Sequence, residues 1–508
     1  MLEYATTPLA PAVQVTPKRH LGVVAIATGA FAMAVSLLGS WVPSLWGDEA
    51  ASLLSAKRPL DSLFAMLTHV DAVHGSYYVM LHFWVQLAGT SPLAIRLPSA
   101  VAVGVAAAAV AWLCGRMRST RLAVLAGLIV AVLPRLTDVG EEARPYAFDA
   151  AVCAVLCVVV AEAVLRGGRA TRLWIAYGAL LAVGTYLFLY DFLMAVAVGA
   201  FLAFTPTERR HLRAWVIATG SAVLAASPVI VFAFLERNQV SYLENRTQVT
   251  PSTVFVQMWF GETAIAIVAW LLILVALGDL VYRVVQQRRI SGSAVTASRP
   301  DVVVFAACWL FLPAGLLIAS NTVMADYTAR YGAFAAPAAA VLMAAGIDRL
   351  ARRTWIAVGL AAVVLVAAAP VWISQRTAYA MNNSDWNEIA ATVQAQAHPG
   401  DGIVFDGSVR PSRRTRLALD TDPAAFANVK DLTLNVPYAQ NRTWYDSTYS
   451  VPHAAALGRF TGVDRVWVVE YAVPGHTDAW GIASLEQLGF HKTAHYSSNR
   501  SVTYLFTR

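Results

Sequence analysis

Eleven apolar runs, each close to membrane-spanning length, constrain this chain more than any other feature. They cover approximately residues 21–40, 93–114, 121–137, 145–165, 172–190, 191–205, 214–234, 263–283, 302–320, 332–347 and 354–373. A continuous apolar stretch of about 20 residues spans the hydrocarbon core as a helix, and a soluble core has no use for so many. The composition agrees: 58% of the 508 residues are hydrophobic, 14% are charged and the mean hydropathy is +0.56. The expected fold is a mainly α polytopic membrane protein. A net charge of +7 is then no argument for nucleic acid, because basic residues in such proteins mark the cytoplasmic side. The four cysteines, Cys114, Cys153, Cys157 and Cys308, all sit in apolar runs, with no spacing suited to zinc.

Orientation follows from the arginines. Residues 77–87, Tyr-Tyr-Val-Met-Leu-His-Phe-Trp-Val-Gln-Leu, are too short to span and carry His82 and Gln86, so they read as an amphipathic interfacial helix. With that helix not crossing, every second loop is basic. Lys18 and Arg19 precede the first run. Then come Arg116, Arg118 and Arg121; Arg166, Arg169 and Arg172; Arg209, Arg210 and Arg213; Arg283, Arg288, Arg289 and Arg299; and Arg349, Arg352 and Arg353. This puts the N-terminus (1–20) in the cytoplasm, makes the first run an uncleaved helix, and gives eleven spans with the C-terminus outside. The break Tyr190-Asp191 has to form a tight turn between two short runs.

The remaining loops, expected outside, collect the unusual polar residues. Trp46-Gly47-Asp48-Glu49-Ala50 places two carboxylates where the first apolar helix has just ended, in a long loop over 41–92. Asp71, His74, Arg96, Glu141, Glu142, Arg144, Tyr190, Asp191, Arg330 and Tyr331 also lie in external loops or near helix ends. Ionisable groups at that depth usually face a protein interior or a wet cavity. Carboxylates there can deprotonate a hydroxyl, and arginines can hold a phosphate through a planar fork. This pairing suits attack by an alcohol on a sugar joined to a lipid phosphate. The loop 235–262, with Tyr242, Trp259 and Phe260, reads either as a cavity cover or as an ordinary interfacial loop.

After residue 373 the composition changes. Residues 374–508 regain charge and carry strand-like runs at 402–405, 466–469 and 502–506. Between them lies a helical stretch from Trp386 that Ser384 or Asp385 could cap and Pro399-Gly400 could close. A small extracytoplasmic α/β domain is expected.

Four stretches resemble a known family. Trp46-Gly47-Asp48-Glu49-Ala50 resembles the acidic first-loop motif of GT-C glycosyltransferases, in the branch containing the protein O-mannosyltransferases and the lipid A aminoarabinose transferases. His74-Gly75-Ser76-Tyr77-Tyr78 with Leu87-Ala88-Gly89 and Ile95-Arg96-Leu97-Pro98-Ser99-Ala100 resembles its histidine–tyrosine and "L-R-L-P-S-A" run. Gly75-Ser76 stand where the branch has two prolines. Glu142-Ala143-Arg144-Pro145-Tyr146-Ala147 resembles "Q-E-A-R-x-Y-A", and Arg330-Tyr331 with Pro337 resembles a late "R-Y … P". The resemblance covers about residues 20–350. It implies a transmembrane glycosyltransferase domain over 21–373 and an inverting transfer from a polyprenyl-phosphate sugar to a glycan, glycolipid or protein acceptor. Mannose is the leading sugar, with arabinose or aminoarabinose next.

Carried over residue by residue, the resemblance makes Asp48 the general base, with Glu49 supporting it or positioning the acceptor. Arg144, Arg330 and Arg96 become holders of the donor phosphate, although Arg96 could equally anchor its helix. Asp71, His74, Tyr77, Tyr78, Glu142, Tyr146, Asp191 and Tyr331 would line the cavity. Asp326 could pair with Arg330. No cofactor is indicated; carboxylates alone are no recognisable metal-ligand set, so metal dependence stays open. A lipid or glycan transporter is the rival reading, against which stand the position of the ionisable residues and the lack of paired broken helices. A non-catalytic scaffold is the third, and it would not need Asp48, Arg144 and Arg330 to converge.

Overall fold

The structure, a computed structural model, describes residues 18–166, 170–236, 248–291, 300–323, 327–472 and 481–508. Every apolar run identified above forms a helix. In chain order these are α1 (Lys18–Leu37), then three helices of the first long loop, α2 (Gly47–Lys57), α3 (Leu60–Leu67) and α4 (Gly75–Ala88). Next come α5 (Pro92–Met117), α6 (Thr120–Val132), the short α7 (Pro134–Val139), α8 (Tyr146–Arg166), α9 (Thr171–Leu187), α10 (Met194–Phe204) and α11 (Leu212–Leu235). The bundle ends with α12 (Thr263–Ser291), α13 (Val302–Ser320), α14 (Ala336–Leu350) and α15 (Thr354–Gln375). Among the described residues, eight helices are long and apolar enough to cross a membrane; Thr120–Val132 and Leu189–Phe204 are shorter apolar helices. The break at Tyr190-Asp191 is a 3₁₀ turn, Leu189–Leu193, joining α9 to α10.

Small residues bring the helices together. A methyl group on Gly29 would lie 2.8 Å from the Gly104 carbonyl oxygen, and one on Gly104 would lie 2.9 Å from that of Gly29. The backbones of α1 and α5 therefore touch, which is the usual device where lipid removes any hydrophobic drive between helices. Charges sort to the two ends of the bundle. At one end Arg118 and Arg121 pair with Asp348, Arg116 with Glu162, and Arg283 and Arg349 with Asp279. The opposite end carries α2–α4 and the functional cluster described below.

Among the described residues the C-terminal part holds α16 (Trp386–Gln396), the short helices α17 (Leu417–Thr421), α18 (Val451–Ala456) and α19 (Ile482–Gln487), and seven strands: β1 (Asp401–Phe405), β2 (Val429–Asp431), β3 (Leu434–Val436), β4 (Ser447–Thr448), β5 (Arg465–Tyr471), β6 (His491–Ser497) and β7 (Ser501–Thr507). Five form a mixed sheet in the order β2-β1-β5-β7-β6, while β3 and β4 pair separately. β1 runs parallel to both β2 and β5; β7 is antiparallel to β5 and β6. The three apolar strands were legible; the polar edge strand β6 was not, because it is mostly exposed and offers no apolar alternation. Asp385 precedes α16 without capping it. Its carboxylate accepts instead from the Arg500 amide at 2.7 Å and the Ser501 hydroxyl at 3.1 Å.

This domain seats on the first-loop helices. The fully buried Arg58, at the end of α2, donates to the carbonyls of Asn441 (2.8 Å) and Thr443, Ser62 donates to Ala439, and Lys57 donates to the Asp420 carbonyl at 3.1 Å. Gly47 opens α2 against the 410–416 loop: a methyl group there would lie 2.4 Å from the Ser412 carbonyl oxygen. Only glycine allows this approach.

Candidate active site

The acidic motif begins a helix. Trp46 is extended and occupies the cap position of α2, so Asp48 and Glu49 fall in its first turn. There the free backbone N–H groups favour negative charge. Neighbours on a helix project about 100° apart, and the two carboxylates part accordingly.

Glu49 turns into the protein. Arg96, from the first turns of α5, donates Nε–H to its Oε1 at 2.7 Å and Nη2–H to its Oε2 at 2.6 Å. The Ala143 amide donates to Oε1 at 3.0 Å, and Arg96 Nη1 donates to the carbonyls of Ser40 (2.5 Å) and Pro43 (2.9 Å). Both side chains are fully buried. Glu49 thus faces away from the cavity expected of it. Arg96, expected at the donor phosphate, has its fork filled by Glu49 and backbone carbonyls. The physical reason is that a guanidinium buried this deeply needs a carboxylate of its own.

Asp48 turns the other way. Its Oδ2 lies 2.6 Å from Arg330 Nη1, with each side chain about a quarter exposed (24% and 25%). Arg330 enters from a 3₁₀ turn, Ala329–Ala335, and its guanidinium lies over the rings of Trp46 and Tyr146, each 5.5 Å away. Burial opposes the charge on Asp48, but Arg330 and Arg144 outweigh it and hold the carboxyl below its ordinary range. Glu142 comes within 4.0 Å of Arg330. Burial pushes its carboxyl up to about 8, against the pull of Arg330. Its neighbour Glu141 lies 3.4 Å from Arg376 and is pushed by burial to about 9.

Arg144 is held by a closed ring of hydrogen bonds. Its Nη1 reaches the Tyr78 hydroxyl at 3.3 Å and the Ser52 hydroxyl at 3.4 Å, and its Nη2 reaches His74 Nε2 at 3.3 Å. A guanidinium only donates, so Nε2 accepts and Nδ1 carries the proton. That proton goes to Asp71 Oδ1 at 2.5 Å, and the Tyr78 hydroxyl donates to Asp71 Oδ2. Asp71 adopts a left-handed backbone, φ 62°, which aims its carboxylate back at His74. Burial opposes its charge, while His74, Arg144 and Tyr78 more than compensate and hold it low. Among the described residues the Arg144 Nε–H, which is buried, finds no hydrogen-bond acceptor.

The other expected cavity residues divide. Tyr146 and Tyr331 belong to an aromatic cluster with Phe188 and Tyr190, ring centres 5.3–6.0 Å apart, beside Arg330. Tyr77 is fully buried against Tyr78 and Phe148. Asp191 is buried within the bundle, where the Cys153 thiol donates to it at 3.4 Å, and it does not join the Asp48 group. Trp259 and Phe260 are core residues packed on Trp270, with the Trp259 indole bonded to the Gly332 carbonyl at 3.1 Å, so neither offers a face to a sugar. His82 bonds the Ala56 carbonyl at 2.8 Å. Tyr242 and Asp326 lie outside the described residues. Among those described, no group of three or more His, Cys, Asp or Glu is arranged to hold a metal ion. A cleft of about 680 Å³ between α9 and α11, lined by Trp174, Ala218 and other mostly apolar residues, shares no residue with the site.

Two residues of the site went unread in the sequence. Trp444 donates its indole N–H to Asp71 Oδ2 at 3.3 Å. Tyr445 stands beside it, its hydroxyl pushed well above its ordinary range by burial and by Asp48. Both belong to the C-terminal domain. The signal was a Trp-Tyr pair set in an otherwise polar loop, Asn441–Asp446.

Comparison with known proteins follows the same lines. Residues 76–233 match the family model described as dolichyl-phosphate-mannose-protein mannosyltransferase. No curated protein sequence matches significantly. The fold is similar to ArnT from Cupriavidus metallidurans in the apo state, with a TM-score of 0.57 at 12% identity over 96% of this chain and 98% of that one. It is also similar to the same protein bound to undecaprenyl phosphate (TM-score 0.52, 13% identity, 94% and 97% covered). The archaeal oligosaccharyltransferase AglB from Archaeoglobus fulgidus, in complex with an inhibitory peptide and a dolichol-phosphate, gives a TM-score of 0.52 at 13% identity over 96% of this chain and 74% of that one. The chain is a membrane protein with the GT-C fold of these structures, and its residues 76–233 match the mannosyltransferase family model.

Proposed function

We propose that the chain transfers a sugar from a polyprenyl-phosphate carrier to an acceptor hydroxyl at the outer face of the membrane, by a single displacement that inverts the sugar. Asp48 takes the proton from the acceptor. Arg330 and Arg144 hold the donor phosphate and stabilise the charge that builds on it as the glycosidic bond breaks. One observation carries the reading: Asp48 lies 2.6 Å from Arg330, and the buried Nε–H of a second guanidinium, Arg144, has no acceptor among the described residues. The aromatic cluster around Tyr331 then receives the first isoprene units. The lipid phosphates named in the ArnT and AglB structures support the donor class. Mannose is the sugar proposed, from the family model over 76–233, with arabinose or aminoarabinose as the second reading. The domain 374–508 lies outside the cell and meets the acceptor.

A membrane assay with radiolabelled polyprenyl-phosphate mannose and polyprenyl-phosphate arabinose, comparing wild type with Asp48→Asn, tests this. Removal of a general base lowers the rate by about 10²–10⁴. Transfer that survives the substitution unchanged removes Asp48 as base, and no transfer from either donor refutes the substrate class.

A further inference from the structure

The ring that holds Arg144 has one member from elsewhere in the fold. Asp71 accepts from His74 and Tyr78, both neighbours in the first loop, and from the Trp444 indole 373 residues away. Trp444 is held there firmly. Its loop is pinned by Arg58 to the carbonyls of Asn441 and Thr443, by Ser62 to Ala439, and by Arg442 Nη1 to His69 Nε2 at 3.0 Å.

We propose that Trp444 is a positioning residue for the donor phosphate, fixing the Arg144 fork through Asp71 and His74. The argument runs along the bonds. Asp71 is held in a left-handed conformation that asparagine, aspartate and glycine tolerate best, and it needs its donors to stay there. Its Oδ1 fixes which nitrogen of His74 bears the proton. That tautomer leaves Nε2 as the acceptor that orients Arg144 Nη2. Trp444 supplies Oδ2 with a donor from the C-terminal domain, so seating of that domain is felt at the guanidinium. The inference rests on the donor reading above, in which Arg144 touches phosphate.

Binding of undecaprenyl phosphate to the purified full-length chain tests it without turnover. Trp444→Phe keeps the ring and removes only the N–H. The expected dissociation constant rises about fivefold or more, the low end of coupling between linked sites, with an unchanged melting temperature. Trp444→His, which restores an N–H donor, recovers part of the loss. In a His74→Asn background Trp444→Phe adds less than it does alone, because one of the two paths from Asp71 to Arg144 is already cut and only that through Tyr78 remains. If the wild type fails to bind undecaprenyl phosphate, the donor reading falls. If the wild type binds and Trp444→Phe binds equally well, or if the two substitutions multiply independently, the relay falls while the donor reading stands.

Discussion

Substituting Glu49 separates support from chemistry within one acidic pair. In Glu49→Gln the Arg96 guanidinium keeps its burial and its bonds to Ser40 and Pro43, but it loses the carboxylate that pairs with it. Breaking a buried pair by removing one partner costs about 3–5 kcal/mol, because the remaining charge stays uncompensated. The amide also brings an N–H₂ toward a fork that only donates, and the Ala143 amide competes for its single oxygen. The expected result is a clear fall in melting temperature in detergent and loss of folded protein from the membrane. Replacing both partners, as Glu49→Leu with Arg96→Met, removes the charges together and returns most of the stability. Asp48→Asn, whose carboxylate is partly open to solvent, melts close to wild type. A Glu49→Gln protein that melts like wild type while losing all transfer would refute this, and would return Glu49 to the reacting groups.

Glu142 gives the site an alkaline limit. Its pKa, raised to about 8, means that the carboxyl is neutral at pH 7 and charged at pH 9, next to the guanidinium expected to hold phosphate. The Michaelis constant for the donor should therefore climb as pH passes about 8, and Glu142→Gln should flatten that limb. A group raised in the folded state favours folding fully below its unfolded value, about 4.3, and loses that contribution as pH rises to its folded value. Glu141 and Glu142 together then predict a melting temperature that declines through about pH 8–9. Gly47→Ala should loosen the C-terminal domain by about 1–3 kcal/mol, since the new methyl meets a backbone carbonyl that cannot swing aside; faster limited proteolysis between residues 374 and 400 is the readout. Arg330→Lys keeps the charge but not the planar fork, so undecaprenyl phosphate binding should weaken about tenfold with the fold intact, as judged by equilibrium binding.

The bundle was legible because bilayer thickness sets helix length, and the basic loops marked which helix ends belong together. The site was legible where charge met apolar sequence: Asp48, Arg144 and Arg330 each stand at the edge of a run and converge. Glu49 and Arg96 were harder. Two adjacent carboxylates look alike in sequence, and only the phase of α2 sends one to the cavity and its neighbour to α5. Arg96 did carry a signal, lying one turn inside a helix that opens at Pro92, where a buried cation requires a counter-charge. Trp444 and Tyr445 were hidden because their role depends on how two domains seat together, and neither periodicity nor composition carries that information.

The order of synthesis follows from the long reach of one indole. Asp71 leaves the ribosome 373 residues ahead of its partner Trp444. At about 5–20 residues per second, that is a wait of roughly 20–80 s, during which the early loop is already made. The loop must pass that interval with Arg58 and Asp71 short of partners that arrive only at the end of translation. A ribosome that stops before residue 444 therefore releases a bundle of helices whose Asp71 lacks its indole donor.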